Sequence, residues 1–470
     1  MNVTRMLVGI IVGAISVSNI AYAEQLEYDY VIVGSGAAGL SAAYTLYESE
    51  KKIIVLEKSN RSGGIAENGR KGKFHYAKGT EYLGEPHGAL RKVINKLNIP
   101  MVEIPTPMDA SYYEGKMHIG SNKIAKLTVE ISGKKSFRHF LRLLKTAATT
   151  QSKADLLKLD NITAKQWLDD NNIEPFIQHR YDIMSRGLFG ANLSDISALS
   201  LIPEVAFDYV GVSSFDEIFE PSENSESWTA VNGIASITNA IAAELGGSIK
   251  YDSRVTNVAK MGTKYKVSFN HLGNESFIIA NKVILATPSP VTEWIAKDVL
   301  TPYQKKLLAQ IEYAQYVTVA LFSESPIFDK AFDLAILDGD IITDLYDSTW
   351  VERHYDSNLK NVNQYIASAY LAPKGASDKS LMTYSDEQII GIVNKELATI
   401  VPDIKNKISG YDIKRFKYAY PVMSVGSYSR LEALRNSFKG VYLAGDYMKY
   451  PTFEAAFDSG AEAARKAMNE

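Results

Sequence analysis

From residue 28 onward, apolar positions fall in a short run, then at helical spacing, then in a second short run. Tyr28–Val33 has the near-continuous apolar character of a strand buried on both faces of a parallel sheet. Leu40, Ala43, Tyr44 and Tyr47 then share one face of a predicted helix, and Ile53–Leu56 is the next strand, ending on Glu57. Ser253–Asn270 reads as two strands around a glycine turn, and Ser276–Pro290 as strands ending at Ala286-Thr287-Pro288. Residues 313–322 and 361–371 also read as strands, whereas 136–218 are mostly helical in pattern. Within that stretch Phe137, Phe140, Leu141 and Leu144 line one helical face, opposite Arg138, His139, Arg142 and Lys145. Near the end, a short strand from Val441 stops at Gly445-Asp446. A helix follows, built largely of Ala455, Ala456, Ser459, Gly460, Ala463 and Ala464. Such small side chains fill little core, so this helix is expected to lie close against whatever it covers.

Between the first strand and helix stands Gly34-Ser35-Gly36-Ala37-Ala38-Gly39. Glycines at this spacing, placed between strand and helix and followed by an acid at the end of the next strand, form the dinucleotide fingerprint. The glycines let the backbone close on a pyrophosphate at the helix N-terminus. Glu57 can accept hydrogen bonds from an adenosine ribose, and its charge repels a 2′-phosphate, which disfavours NADP.

Composition narrows the chemistry further. The 470 residues suit two or three domains, and a formal net charge of −3 gives no reason to expect nucleic acid. No cysteine is present, which excludes disulfides, a thiolate nucleophile and Cys-ligated metal. The seven histidines are scattered with no pair at metal-ligand spacing, and no G-x-S-x-G elbow occurs. The first residues carry one charge, Arg5, followed by an apolar stretch ending at Ala21-Tyr22-Ala23. This predicts a secretory signal peptide over 1–23, cleaved before Glu24, and an exported, periplasmic protein; an uncleaved membrane anchor is the alternative. With no twin-arginine pair, the chain is expected to cross unfolded and to load its cofactor afterwards.

Arg61-Ser62-Gly63-Gly64 directly follows Glu57 and Lys58, and Phe74–Gly84 reads FHYAKGTEYLG. Together with the C-terminal strand, Gly445-Asp446 and the small-residue helix, this resembles the flavin-containing amine oxidase superfamily. The resemblance implies FAD, and an α/β fold: a discontinuous Rossmann-type FAD-binding domain (25–90, 228–290 and 430–470) with an α+β substrate-binding domain (91–227 and 291–429). It implies cofactor contacts from Gly34 to Gly39, Glu57, Lys58, Arg61, Gly63 and Gly64. It places Gly79-Thr80-Glu81-Tyr82 beside the flavin ring, and the Val255 backbone at the adenine. Gly445, Asp446, Thr452, Phe453, Glu454 and Ala455 complete the cofactor site from the far end. Ile65 stands where family members often have an arginine.

The activity this implies is hydride transfer from a C–N or C–H bond of a small organic substrate to the flavin, with oxygen or a quinone as acceptor. Three positions depart from the amine oxidases. Thr318 falls where they carry a lysine near the flavin, which predicts slow reoxidation by oxygen. Gly426-Ser427-Tyr428 matches the segment whose cysteine binds flavin covalently, so FAD is expected to be non-covalent, with Tyr428 at the ring. Phe416, in RFKYAYPVMSVGS, takes the place of a tryptophan in protoporphyrinogen oxidases and carotenoid-type desaturases. Tyr418 and Tyr420 are further pocket candidates. A desaturase-like dehydrogenase of a lipophilic substrate therefore remains a second reading, and a flavin mutase, isomerase or non-catalytic FAD-binding protein a third. The basic helix around Ser136–Lys145 adds an expectation of peripheral membrane contact.

Overall fold

The computed structural model describes residues 27–209 and 211–470. The predicted signal peptide lies outside them. Among the described residues no helix is long and apolar enough to cross a membrane.

The first strand, Glu27–Val33, pairs in parallel with Ile53–Leu56 on one side and with the end of Asn274–Leu285 on the other. Its inner residues Val31, Ile32 and Val33 are buried, as the unbroken apolar run requires. Ile249–Lys250 extends the sheet beyond Ile53–Leu56, and Ser253–Met261 and Lys264–His271 form an antiparallel extension off Asn274–Leu285. Val441–Leu443 joins in parallel beside Val283–Leu285, so both ends of the described chain complete one sheet. On one face the helices Ala37–Tyr47 and Phe453–Asn469 pack side by side. They meet closely enough that a Cβ on Gly460 would run into the Ala38 carbonyl. The small residues of the last helix thus cover another helix's backbone.

The second domain is built on a seven-stranded sheet. Its order is Ile408–Pro421, Tyr313–Ser323, Tyr365–Leu371, Ile342–Asp347, Asp333–Ile336, Asp109–Tyr113 and Lys116–Ile119. Val317, Val319 and Leu321 face one way, into a core shared with the helix Asp386–Leu397; the opposite face looks toward the nucleotide domain. Six helices between Ser121 and Phe207 form the rest of this domain. In the helix Lys134–Ala148, Phe137, Phe140 and Leu144 are buried against residues such as Trp167, Tyr181 and Leu201. The apolar face that suggested a membrane contact is therefore covered inside the domain.

Two segments pack differently from the sequence-level division. Residues 291–295 of the helix Ser289–Ile295, and the helix Pro302–Ala309, fall in the expected substrate segment but put Ile295, Leu307 and Leu308 into the core of the nucleotide sheet. The hairpin Asn68–Lys71/Phe74–Ala77 belongs to the first nucleotide segment but packs Phe74 and Tyr76 on Ala320, Phe322 and Ile366 of the other sheet. Helical period and strand alternation reveal which face is apolar but not which partner covers it.

Candidate functional site

At the end of the first strand the chain turns through Gly34 into the helix Ala37–Tyr47. Gly34 has φ +98°, and a Cβ there would meet the Ala286 carbonyl oxygen at 2.6 Å. Gly39 lies against the Gly34 carbonyl and admits no side chain either. These two glycines hold turn and helix to the sheet. Gly36 differs: its φ is −71°, and only the Gly64 Cα, at 3.8 Å, comes near an added Cβ. It stands before a helix N-terminus with no side-chain cap. Unpaired amides facing open space in this way suit a phosphate.

Glu57 is buried at the end of the adjacent strand. Its Oε2 accepts from the Ser35 amide (2.8 Å) and hydroxyl (2.9 Å), and its Oε1 from the Ser59 amide (2.9 Å) and hydroxyl (2.8 Å). The two hydroxyls rotate, and Ser59 Oγ also reaches the Arg61 carbonyl at 2.7 Å. Ribose hydroxyls can therefore replace them without orphaning an amide. The Gly63 amide donates to the Ser35 carbonyl at 2.8 Å, which brings the glycine doublet beside the first turn. Arg61 is ion-paired with Glu67 and donates to the Gly64 carbonyl at 2.9 Å.

A continuous cavity of 2510 Å³ runs from this cradle to the second domain. That exceeds the roughly 300–1,000 Å³ of a single small-molecule pocket and leaves room for a dinucleotide and a second molecule. Gly34, Gly36, Ala37, Ala38, Glu57, Lys58, Arg61, Gly63, Gly64 and Val255 line the cradle end. Gly79, Thr80, Glu81, Tyr82, Asp446, Thr452, Phe453 and Glu454 line the cavity further along. Four of the expected residues stand one layer back. Ser35 holds Glu57; Gly39 packs on Gly34; the Gly445 amide donates to Ser459 Oγ at 3.1 Å; and the Ala455 amide donates to Thr452 Oγ1 at 3.2 Å. The residues present thus fit FAD: a phosphate cradle, a ribose acid, and a long cavity that continues past them.

The far wall is the inward face of the second sheet. Phe416, Tyr418 and Tyr420 line the cavity. Thr318 shares this face with Tyr370 and Lys414, its neighbours on the flanking strands. It does not reach the cavity, because its hydroxyl donates to the Lys78 carbonyl at 2.8 Å and the Lys78–Gly79 backbone covers it. Tyr428 is a clear correction. Gly426 adopts a left-handed conformation, φ +80°, and turns the chain into the helix Ser427–Ser437. There Asp160 accepts from the Tyr428 and Ser429 amides, which fixes Tyr428 away from the cavity. Among the described histidines only His87 lines the cavity.

The sequence reading missed a set of acids. Asp109, Asp333 and Asp344 lie on the same sheet face, and Glu204 and Asp208 lie at the end of the helix Ala198–Phe207, all at the cavity wall. The signal available was one acid on the inward phase of each short apolar strand. Burial pushes Glu81 up to about 8, against the Tyr370 hydroxyl 3.0 Å from its Oε1. Burial likewise raises Glu204 and Asp446 to about 7 and Asp208 to about 6, with Tyr450 opposing the shift at Glu204 and Arg180 opposing it at Asp208. Each carboxyl holds its proton more tightly folded than unfolded, so between about pH 4 and 8 the folded chain carries the extra protons. The stability of the FAD-free protein should accordingly fall as pH rises through this window. Thermal melts at pH 6 and pH 8 check this; a higher Tm at pH 8 would contradict it.

Comparison with known proteins agrees with this geometry. Residues 37–468 match the family described as flavin containing amine oxidoreductase. The chain is 25% identical over 464 residues to L-amino acid oxidase Lm29 of Lachesis muta, covering 93% of this chain and 86% of that protein. In three dimensions it resembles putrescine oxidase solved with putrescine bound, at a TM-score of 0.74 and 17% identity over 95% of this chain and 100% of that one. It also resembles cyclohexylamine oxidase from Brevibacterium oxydans IH-35A, at a TM-score of 0.74 and 16% identity over 94% and 99% of the two chains. With a phosphate cradle and a ribose acid opening into one long cavity, and the family match running over residues 37–468, this protein belongs to the flavin-containing amine oxidoreductase family and is an FAD-dependent oxidoreductase.

Proposed function

We propose that the protein oxidises the C–N bond of a small amine and passes the electrons on to oxygen. Bound FAD supplies the acceptor for the hydride that leaves the substrate carbon. The observation that carries the reading is Glu81. It stands on the segment lining the middle of the cavity, with the Tyr370 hydroxyl 2.9 Å from the Gly79 carbonyl and 3.0 Å from Glu81 Oε1. With its pKa at about 8, this carboxyl exchanges a proton near neutrality, the range in which a general base is most effective. An alkyl ammonium must shed a proton before its nitrogen lone pair can assist departure of the hydride. Glu81 takes that proton, and Tyr370 fixes the carboxyl that holds it.

Turnover of a panel of amines, amino acids and dihydro-aromatic compounds, read by peroxide release, tests the reading. Amines should yield peroxide and a carbonyl product, and kcat/KM should rise with pH up to about 8, a dependence that Glu81→Gln removes. Peroxide from the dihydro-aromatic compounds alone would overturn it. The oxidase names of relatives support oxygen as acceptor. Thr318 puts no cation at the expected strand position, so reoxidation by a quinone is the alternative outcome of the same assay.

We also propose that FAD is held without a covalent bond, since the chain has no cysteine. Acid precipitation should leave a colourless pellet under a yellow supernatant. A pellet that stays yellow after washing would contradict this. Residues 1–23 support export, with FAD taken up after crossing. Full-length chain retaining Met1 in the cytosol of the native host would count against it.

A further inference from the structure

A second, smaller pocket of 450 Å³ adjoins the large cavity. Ala455, Asp458 and Glu462, at helical spacing on the helix Phe453–Asn469, form one of its walls. His87, at the start of the helix Gly88–Lys96, lines it too, as do Arg435 and Lys449. The pocket is narrow, since a Cβ on Gly88 would come within 3.5 Å of Asp458 Oδ1. Ala455 contributes its only aliphatic side chain, and a polar space of this size holds water. Its charges are already matched: Lys449 lies 2.5 Å from Glu462 and 3.9 Å from Asp458, and Arg435 donates to the Met448 carbonyl at 2.7 Å. Two cations stand against two outer acids, which suits a neutral molecule better than an ion.

The two spaces meet at His87, Tyr450, Thr452 and Glu454, which line both. This partition is held in place. The Tyr450 hydroxyl donates to the Ser200 carbonyl at 2.7 Å, the Thr452 hydroxyl accepts from the Ala455 amide at 3.2 Å, and Glu454 Oε1 accepts from the Gly84 amide at 3.0 Å. The pocket thus runs from Glu462, more than half exposed, to the half-buried Glu454 at the cavity wall. Burial pushes the Glu454 carboxyl up, against its backbone bonds and the nearby His87 ring, so its ionised form is a stronger base than an ordinary carboxylate. Gly84 is three residues beyond Glu81, at most about 11 Å along the chain. The two carboxyls therefore stand along one stretch of the cavity.

Once the hydride has left the amine, Glu81 holds the proton of the ammonium and cannot take another from water. Resting on the amine-oxidising reading, we infer that the protein also hydrolyses the iminium ion it forms, with water drawn through the side pocket and Glu454 as the base. Water oxygen joins the iminium carbon while one water proton passes to Glu454. That proton returns to the nitrogen as the C–N bond breaks, and the hydroxyl proton follows to the departing ammonia. An aldehyde and an ammonium ion leave, no oxidant is used, and Glu454 ends as it began. An imine released intact would break down in bulk water instead; here water adds before release.

The probe is N-benzylidenemethylamine, an imine formed beforehand, mixed at pH 8 with the oxidised FAD-loaded protein and followed by the absorbance of benzaldehyde. Hydrolysis should exceed that in buffer by about tenfold or more and scale with protein concentration. Glu454→Gln, which can still accept from the Gly84 amide, should remove the excess, and so should Asp458→Phe, whose ring fills the outer pocket. During benzylamine turnover, benzaldehyde should keep pace with peroxide in the wild type and lag behind it in both variants. Hydrolysis no faster than in buffer, or an excess that survives either variant, would overturn the inference even if amines are good substrates. If the preformed imine is hydrolysed through Glu454 yet no amine bleaches the flavin, the hydrolytic site stands and the oxidation assigned to the cavity falls.

Discussion

Replacing Gly36 by aspartate should give a folded, colourless protein. The glycine turn contains two kinds of glycine, and only one of them serves the ligand. Gly34 and Gly39 are pressed against the Ala286 and Gly34 carbonyls, so side chains there damage the sheet–helix junction. Gly36 has a φ open to any residue, and its missing Cβ leaves space in front of the helix N-terminus. A carboxylate there fills the cradle and competes for the amides that would bind pyrophosphate. The loss should be at least about 3 kcal/mol of FAD affinity, roughly a hundredfold in Kd. FAD titration followed by flavin fluorescence, with the melting temperature of the FAD-free protein as control, checks it. A yellow Gly36→Asp protein with ordinary affinity would show that the cradle does not bind the phosphates.

Gly460→Leu should have the larger effect on stability. The helices Ala37–Tyr47 and Phe453–Asn469 approach at this point until a Cβ would overlap the Ala38 carbonyl and crowd the Ala42 amide at 3.0 Å. Backbone cannot yield as the tip of a flexible side chain does. The last helix must move off its partner, uncovering Ala42, Ala43 and Ala464, which are now fully buried. Overpacking of this kind costs about 3 kcal/mol. Because the start of the same helix lines the cavity, FAD release should accompany the loss. Urea unfolding of wild type and variant measures it; a change below about 0.5 kcal/mol would mean the two helices are not in the contact described.

Much of the nucleotide half was legible because its signals are local. The glycine turn, the acid at the end of the second strand and the arginine–glycine doublet lie within one stretch of chain, and each has a backbone reason to be there. The small-residue helix was legible for a similar reason, since such a composition suits only a close approach. The acid cluster was not legible, although every member is plain in the sequence. Asp109, Asp333 and Asp344 open or interrupt three short strands, and the parallel pairing of 333–336 with 109–113 joins segments more than 200 residues apart. Alternation says that each acid has a face; only register says that the faces coincide. Tyr428 failed differently. A local glycine–aromatic match placed it at the flavin, whereas the left-handed Gly426 and the Asp160 carboxylate direct the chain into a helix on the outside. A pattern along one strand gives Thr318 a face but cannot reveal that another segment's backbone lies over it.

Whether this cavity holds FAD and reduces it at the expense of an amine is decided by anaerobic mixing of the oxidised holoprotein with single substrates. The yellow flavin band should bleach within one turnover on addition of an alkyl amine, and admitting oxygen should restore it with release of one peroxide per flavin. A flavin that stays oxidised with every amine, yet bleaches with a dihydro-aromatic compound, would contradict amine oxidation at this site.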